Sequence, residues 1–360
     1  MEPFFELLQV AIGNRDGLDK LPQNRGEWEN LYAVTAKHSL LGVTFPVIDH
    51  IHDEVEVPLG VYSRWAMVTE KIGKRNQAQT RMCRSLHEKF LSDGFRCCVL
   101  KGQSAALRYP EPLLRHSGDI DIWMEGERPK VVDYMRSLCP LRKIVYHHCD
   151  AELIPKMGVE VHFTPSWMNS PFANRRLQRW FKEEAEAEFS NYDKDLGFCV
   201  TDAHFDAVFM LVHIYRHVLE EGVGLRQLLD YYYVLKELTP TQKEKVQADL
   251  RHLRMDRFAA SVMYVLQQVF AMEDGLCLFA SDAREGGFLL DEVMRSGNFG
   301  KKDPRNAHEK GEGLVAHGKR KFGRGLRYLM HYPSEVLWQA PFMIWQYFWR
   351  RRLGYLYKGR

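Results

Sequence analysis

The chain has 360 residues, 45% of them hydrophobic, and a net charge of +3 at pH 7. This is the composition of a globular protein of two or three domains with a large core, and a charge so near balance does not single out nucleic acid as a partner. Seven scattered cysteines (Cys83, Cys97, Cys98, Cys139, Cys149, Cys199 and Cys277) exclude a fully paired disulfide framework and lack zinc-finger spacing; with no secretory-type leader at the start, reduced thiols in a cytoplasm are expected.

Residues 1–92 read as a helical region. Phe4, Phe5, Leu7, Leu8, Val10 and Ala11 open it, and Trp28, Leu31, Tyr32 and Ala36 recur at helical spacing. Val61 to Leu91 is expected as one long helix with an apolar stripe through Val61, Trp65, Val68 and Ile72. Its cations, Lys71, Lys74, Arg75, Arg81 and Arg84, are expected on a solvated face.

Residues 93–200 carry the strands. Phe95 to Leu100 reads as a buried strand, and Lys101-Gly102-Gln103-Ser104 turns it into a short helix. A helix start offers N–H groups and positive dipole to an anion such as a triphosphate. Ser104 would cap that helix or touch a phosphate, with Lys101 and Arg115 as nearby cations. An ordinary strand, turn and helix is the plain alternative.

Gly118-Asp119-Ile120-Asp121-Ile122-Trp123 is the most pointed stretch. Strand side chains alternate, so Asp119 and Asp121 share a face. Two like charges that close call for a cation, and oxygen ligands favour Mg2+ or Mn2+, the ions that accompany nucleotide phosphates. Arg128 to Leu138 reads as a helix, and Ile144 to His148 as a strand on which His147 and His148 face opposite ways, a poor joint metal site. Lys156 to Phe163 is a further strand with Glu160 and His162 on one face. Glu160 is either the third carboxylate of a two-metal site or a solvated edge residue. Residues 174–190 are charged and without clear pattern, an exposed segment or a surface helix.

Residues 201–280 return to helices. Asp202 caps one that carries His213 and His217 four apart, where packing or hydrogen bonding is favoured over zinc for want of a third ligand. Arg226 and Asp230, also four apart, are expected to pair on the next helix. Residues 281–318 are rich in glycine and read as a linker. Residues 319–360 hold ten Lys or Arg against Glu335 alone, interleaved with Trp338, Trp345, Tyr347, Phe348, Trp349, Tyr355 and Tyr357. Three readings stay open for this tail: anionic lipid, RNA, or a terminal helix packed back on the protein. Its near-apolar stretch, Val336 to Trp349, is too short to span a bilayer.

In this order, Leu100-Lys101-Gly102, Tyr109-Pro110, Leu114-Arg115, Gly118-Asp119-Ile120-Asp121-Ile122 and Val159-Glu160-Val161-His162 resemble the bacterial nucleotidyltransferase-like family of the polymerase-β-type superfamily. The likeness continues through His213, His217, Leu225-Arg226-Gln227-Leu228-Leu229-Asp230 and Gly297-Asn298-Phe299-Gly300. It implies an α+β fold, a small mixed sheet flanked by N- and C-terminal helical regions. It also implies that Asp119, Asp121 and Glu160 hold metal, that Lys101, Gly102, Ser104 and Arg115 meet the nucleotide, and that His162, His217, Arg226 and Asp230 are accessory. The superfamily turn is usually Gly-Gly or Gly-Ser, whereas this chain reads Lys101-Gly102-Gln103-Ser104.

The expected activity is therefore transfer of an NMP group from an NTP, ATP among the candidates, to a hydroxyl on a small molecule, RNA or protein. Mg2+ or Mn2+ would be the cofactor, in a cytoplasmic protein or one peripheral to the inner membrane. The altered turn carries the alternative of an interaction protein that kept the fold without the chemistry.

Overall fold

A computed structural model describes residues 2–155, 157–300, 303, 305 and 323–355. The fold is α+β. Its seven-stranded mixed sheet has the order β3-β4-β5-β2-β1-β7-β6. The strands are β1 (Cys97–Leu100), β2 (Ile120–Met124), β3 (Leu141–Ile144), β4 (His148–Ile154), β5 (Met157–His162), β6 (Tyr192–Asp193) and β7 (Phe198–Val200). β2 lies between β1, antiparallel to it, and β5, parallel to it.

Four helices precede the sheet: α1 (Glu2–Ala11), α2 (Arg25–Lys37), α3 (Leu41–Ile51) and α4 (Leu59–Ser92). Within the strand region lie α5 (Gly102–Ala106), α6 (Arg128–Leu138) and α7 (Pro171–Ser190), followed by α8 (Ala203–Glu220), α9 (Leu225–Glu237), α10 (Pro240–Leu253), α11 (Asp256–Phe270) and α12 (Ala283–Ser296). A short helical stretch at 323–328 leads to α13 (Pro333–Arg352).

Alternation sorts the sheet into two faces. Ile120, Ile122, Met124, Val159 and Val161 join Leu86 and Phe90 of α4 and Val131, Val132 and Met135 of α6 in one apolar cluster. Trp123 goes to the other side, stacked on Phe205 of α8 at 5.7 Å and tilted against Phe189 of α7 at 4.6 Å. That second cluster runs from Phe4 in α1 to Tyr332 and draws on the N-terminal helices, α7 and the helices from α8 to α12. The N-terminal helices join it directly: Gln9 Nε2 donates to Val269 O at 3.1 Å and Asn14 Nδ2 to Phe270 O at 2.6 Å.

Two local readings are corrected and two are borne out. Ile144 to His148 is not a strand: β3 ends at Ile144, β4 begins at His148, and the residues between them turn. Residues 174–190 are most of α7, the surface-helix alternative, with Leu177, Trp180, Phe181 and Phe189 on its buried side. The range expected as a linker opens with α12, capped by Asp282 and burying Leu289 and Val293. Gly286 there is a packing residue, since a Cβ would come within 2.4 Å of Tyr264 Cβ. The rest of that range lies largely outside the described residues. The five α4 cations are exposed, as expected, and two of them also bond: Arg75 Nη2 donates to Gly118 O at 2.9 Å, and Arg84 binds the carbonyls of Asp195 and Leu196, each at 2.8 Å.

Candidate active site

Three strands build the site through their register. Asp121 pairs with Glu160 across the β2–β5 ladder, and Glu160 pairs with Asp150 across β5–β4. His162 pairs with His148 in the same ladder. Paired residues share a face, so Asp121, Glu160, His162, His148 and Asp150 stand together on one side of the sheet. His162 Nε2 lies 3.1 Å from Asp121 Oδ1 and 3.5 Å from Glu160 Oε2. His148 Nε2 lies 2.9 Å from Asp150 Oδ1, and its Nδ1 lies 3.7 Å from Glu160 Oε2.

Asp119 sits just before β2, beside Gly158 at the start of β5. A Cβ on Gly158 would meet Asp119 Oδ1 at 2.4 Å, so that glycine makes room for the carboxylate. Helix α4 braces the chain entering β2: Gln79 Nε2 donates to Gly118 O at 2.7 Å, and Asn76 Nδ2 to the carbonyls of Leu113 and Arg115 at 2.6 and 2.7 Å.

Lys101 ends β1 with φ of +49°, a conformation that costs a non-glycine residue roughly 1–2 kcal/mol. From there its Nζ reaches Asp121 Oδ1 at 3.0 Å and His213 Nε2 at 3.3 Å. His213 Nε2 lies 2.9 Å from His217 Nε2. The α8 imidazoles thus form the wall facing the sheet.

The charges are mutually dependent. Burial pushes the Asp119 carboxyl above the usual range, reinforced by Glu160 and Asp121. Burial acts the same way on Asp121, but Lys101 and the His162 hydrogen bond outweigh it and hold it low. Glu160 is also held low against burial, by the His162 hydrogen bond and by His148. His162 is raised, the Asp121 and Glu160 bonds overcoming burial. His213 is lowered by burial and Lys101, and His217 by the same causes to about 3.

These groups line a cavity of about 1130 Å3. Of the residues singled out in the sequence, Lys101, Gly102, Arg115, Asp119, Asp121, Glu160, His162, His217, Arg226 and Asp230 all border it. Ser104 is not among its lining residues: it lies inside α5, with its hydroxyl 3.2 Å from Thr201 Oγ1. Arg226 and Asp230 do not pair with each other. Asp230 takes a two-pronged bond from Arg115 at 2.7 and 2.8 Å and a third from the Tyr109 hydroxyl at 2.7 Å, while Arg226 Nη1 donates to His116 O at 2.9 Å.

The turn before β4 also changes the histidine reading. His147 Nε2 lies 2.7 Å from His148 Nδ1, and both rings border the cavity. His147, His148 and Asp150 were outside the sequence-derived site. Alternation along β4 could have linked Asp150 to His148, but only the pairing with β5 links either to Glu160.

Three overlapping groups have ligand atoms within 4.8 Å of one another: Asp121, Glu160 and His162; His148, Asp150 and Glu160; and His147, His148 and His162. The donor set of carboxylates with imidazoles suits a divalent cation, and crowded carboxylates are the environment such an ion relieves.

Comparison with curated proteins found no match. A family model described as Uncharacterised nucleotidyltransferase matches residues 24–271, which contain the whole sheet and helices α2 to α11. The chain belongs to this uncharacterised nucleotidyltransferase family.

Proposed function

We propose that the protein transfers an NMP group from an NTP to an acceptor hydroxyl with the help of Mg2+ or Mn2+. The observation that carries this reading is the β2–β5 register, which sets Asp121 beside Glu160 with Asp119 at the same cavity. Asp119, Asp121 and Glu160 would hold the metal, which neutralises charge along the triphosphate. His162 and His148 add nitrogen donors, which suit Mn2+ better than Mg2+.

Lys101 is the cation for the phosphates, and the turn at Gly102 lets them approach the backbone. Arg115 contributes through Nη1, a buried atom without a hydrogen-bond partner that Asp230 leaves over. Ser104 has no part in this scheme, because Thr201 takes its hydroxyl. In the reaction the acceptor oxygen bonds to the α-phosphorus as the bond to the α–β bridging oxygen breaks. Pyrophosphate leaves, and Glu160 takes the hydroxyl proton. His213 and His217, kept neutral by burial beside Lys101, leave the cavity wall without added charge.

Each α-labelled NTP, with Mg2+ or Mn2+ and a cell extract, tests the reading. Label transferred by the unmodified protein and not by Asp121→Asn supports it. A protein that transfers nothing and shows no MgNTP-dependent thermal shift is the non-catalytic relative that the altered turn suggests.

A further inference from the structure

Helix α13 lies beyond the family match, yet it forms one wall of the cavity through Gln339, Phe342, Met343, Gln346 and Arg350. Their spacing of three and four residues puts them on a single helix face. That face is anchored. Glu335 accepts from Asn169 N at 2.6 Å, Ser170 N at 3.1 Å and Arg216 Nη1 at 3.0 Å. Farther along, Tyr146 meets Phe342 at 6.0 Å, and the Arg128 guanidinium lies 4.8 Å from the Trp349 ring.

The opposite face is apolar as well, where a surface helix usually turns polar residues to solvent. Leu337, Ile344 and Phe348 are 66%, 60% and 59% exposed, and successive members are again one or two turns apart. Trp338 flanks them, its ring 6.4 Å from that of Phe172, which is 70% exposed. Arg351 and Arg352 close the same side at the C-terminal end. An outward face of apolar and aromatic side chains ending in arginines, on a helix whose other face of mixed Gln, Phe, Met and Arg is held against the protein, suits a helix lying in a bilayer interface. No helix among the described residues is long and apolar enough to cross a membrane.

We propose that the outer face of α13 seats the protein on an anionic lipid bilayer and that the cavity behind it takes an acceptor hydroxyl carried by a membrane-anchored molecule. Charge complementarity favours lipid over a second copy of the chain: Arg351 and Arg352 beside the apolar residues match anionic headgroups, whereas a second copy brings only the same positive charge to the contact. The arginines add roughly fivefold each in affinity for anionic headgroups, while Phe, Trp, Leu and Ile enter the acyl boundary. A helix is only about 10–12 Å across, so its inner wall stands one helix diameter from that boundary. The acceptor half rests on the nucleotidyl-transfer reading; the seating half does not.

The full chain would be sedimented with vesicles of phosphatidylcholine and phosphatidylglycerol, and with phosphatidylcholine alone. Binding to the anionic vesicles is expected. It should fall about tenfold or more in Ile344→Glu/Phe348→Glu and lose its anionic preference in Arg351→Glu/Arg352→Glu, while both variants melt like the unmodified protein. Asp121→Asn should bind vesicles unchanged. Absence of binding, or equal binding by Ile344→Glu/Phe348→Glu, overturns the seating. So does a dimer in sedimentation velocity that this variant abolishes without any vesicle binding, or RNA binding lost in Arg351→Glu/Arg352→Glu without it. For the acceptor, α-labelled NTP is supplied with extracted membrane lipid and with aqueous metabolites. Label entering the organic phase supports the proposal, and label in aqueous products alone overturns that half. Vesicle binding without transfer to anything retains the seating and removes the nucleotidyl-transfer reading.

Discussion

Two clusters of this molecule use nearly the same parts. In the cavity, His162 stands between Asp121 and Glu160, with Lys101 3.0 Å from Asp121. Between α7, α8 and α10, His204 stands between Asp249 at 2.8 Å and Glu184 at 3.5 Å, with Lys245 3.1 Å from Glu184. The ligand atoms of either triad converge within 4.8 Å. The charge count separates them. The helical cluster sets two carboxylates against Lys245 and a histidine raised to about 9, and so neutralises itself. The cavity cluster adds Asp119 and Asp150 to its carboxylates, leaving negative charge in excess beside open space. A convergent set of ligand atoms is therefore no sign of a site by itself. An excess of like charge next to a cavity is the better sign, because folding retains it only at a cost.

Substitutions in the two clusters should diverge. Asp121→Asn is expected to lower nucleotide transfer at least about a thousandfold, because the charge that holds the metal is gone. Its melting temperature should fall as well, since the half-buried Lys101 and the buried His162 lose the carboxylate they pair with. Asp249→Asn should lower stability while leaving transfer within about twofold. Labelled transfer assays beside thermal melts read both effects, and equal transfer by the two variants would end the distinction.

Asp230→Ala sharpens the contrast from a third place. It strands the buried Arg115 guanidinium and the Tyr109 hydroxyl, so a loss of about 3–5 kcal/mol in urea unfolding is expected, the largest stability effect of the series. Asp230 is held low against burial by Arg115. Its contribution is thus present above the ordinary aspartate range and lost as pH falls below it.

The His204 cluster has the reverse dependence. Its folded pKa lies above the unfolded value, so its stabilisation is complete below about pH 6.5 and disappears as pH rises through about 9. The change should be on the order of 3 kcal/mol in unfolding free energy between those limits, and His204→Gln should flatten the profile there. A profile with the same slope in the variant would remove the cluster as its source.

Gly158→Ala gives the smallest change in stability and a selective one in function. The new methyl group occupies the position of Asp119 Oδ1, so that side chain must turn away. Transfer is expected to fall about tenfold or more and Mn2+ affinity to fall with it, with stability within about 1 kcal/mol. Unchanged Mn2+ binding, read by titration, would show that Asp119 does not hold the ion.

Much of the site could be read from local spacing. Asp119 and Asp121 share a face, as do Glu160 and His162, because side chains alternate along a strand whatever surrounds it. The same argument misplaced His147, because it took a turn for a strand. It also paired Arg226 with Asp230 from helical spacing, when buried Arg115 offered the acid a better-fitting, two-pronged partner. Ser104 looked free for a phosphate until Thr201 was brought beside it from a distant part of the chain.

The sequence alone determined most element types, the acidic strand and the basic, aromatic character of the C-terminal stretch, since propensity, alternation and charge are local properties. Tertiary structure decided that β2 and β5 are neighbours, that His148 and Asp150 join Glu160, and that α13 turns Gln339, Phe342, Gln346 and Arg350 to the cavity and Leu337, Ile344 and Phe348 outward. Those outcomes depend on strand register and on helix packing between segments far apart in the chain. Register sets which side chains meet across a ladder, and packing sets which helix face is covered; neither is contained in the spacing within one segment.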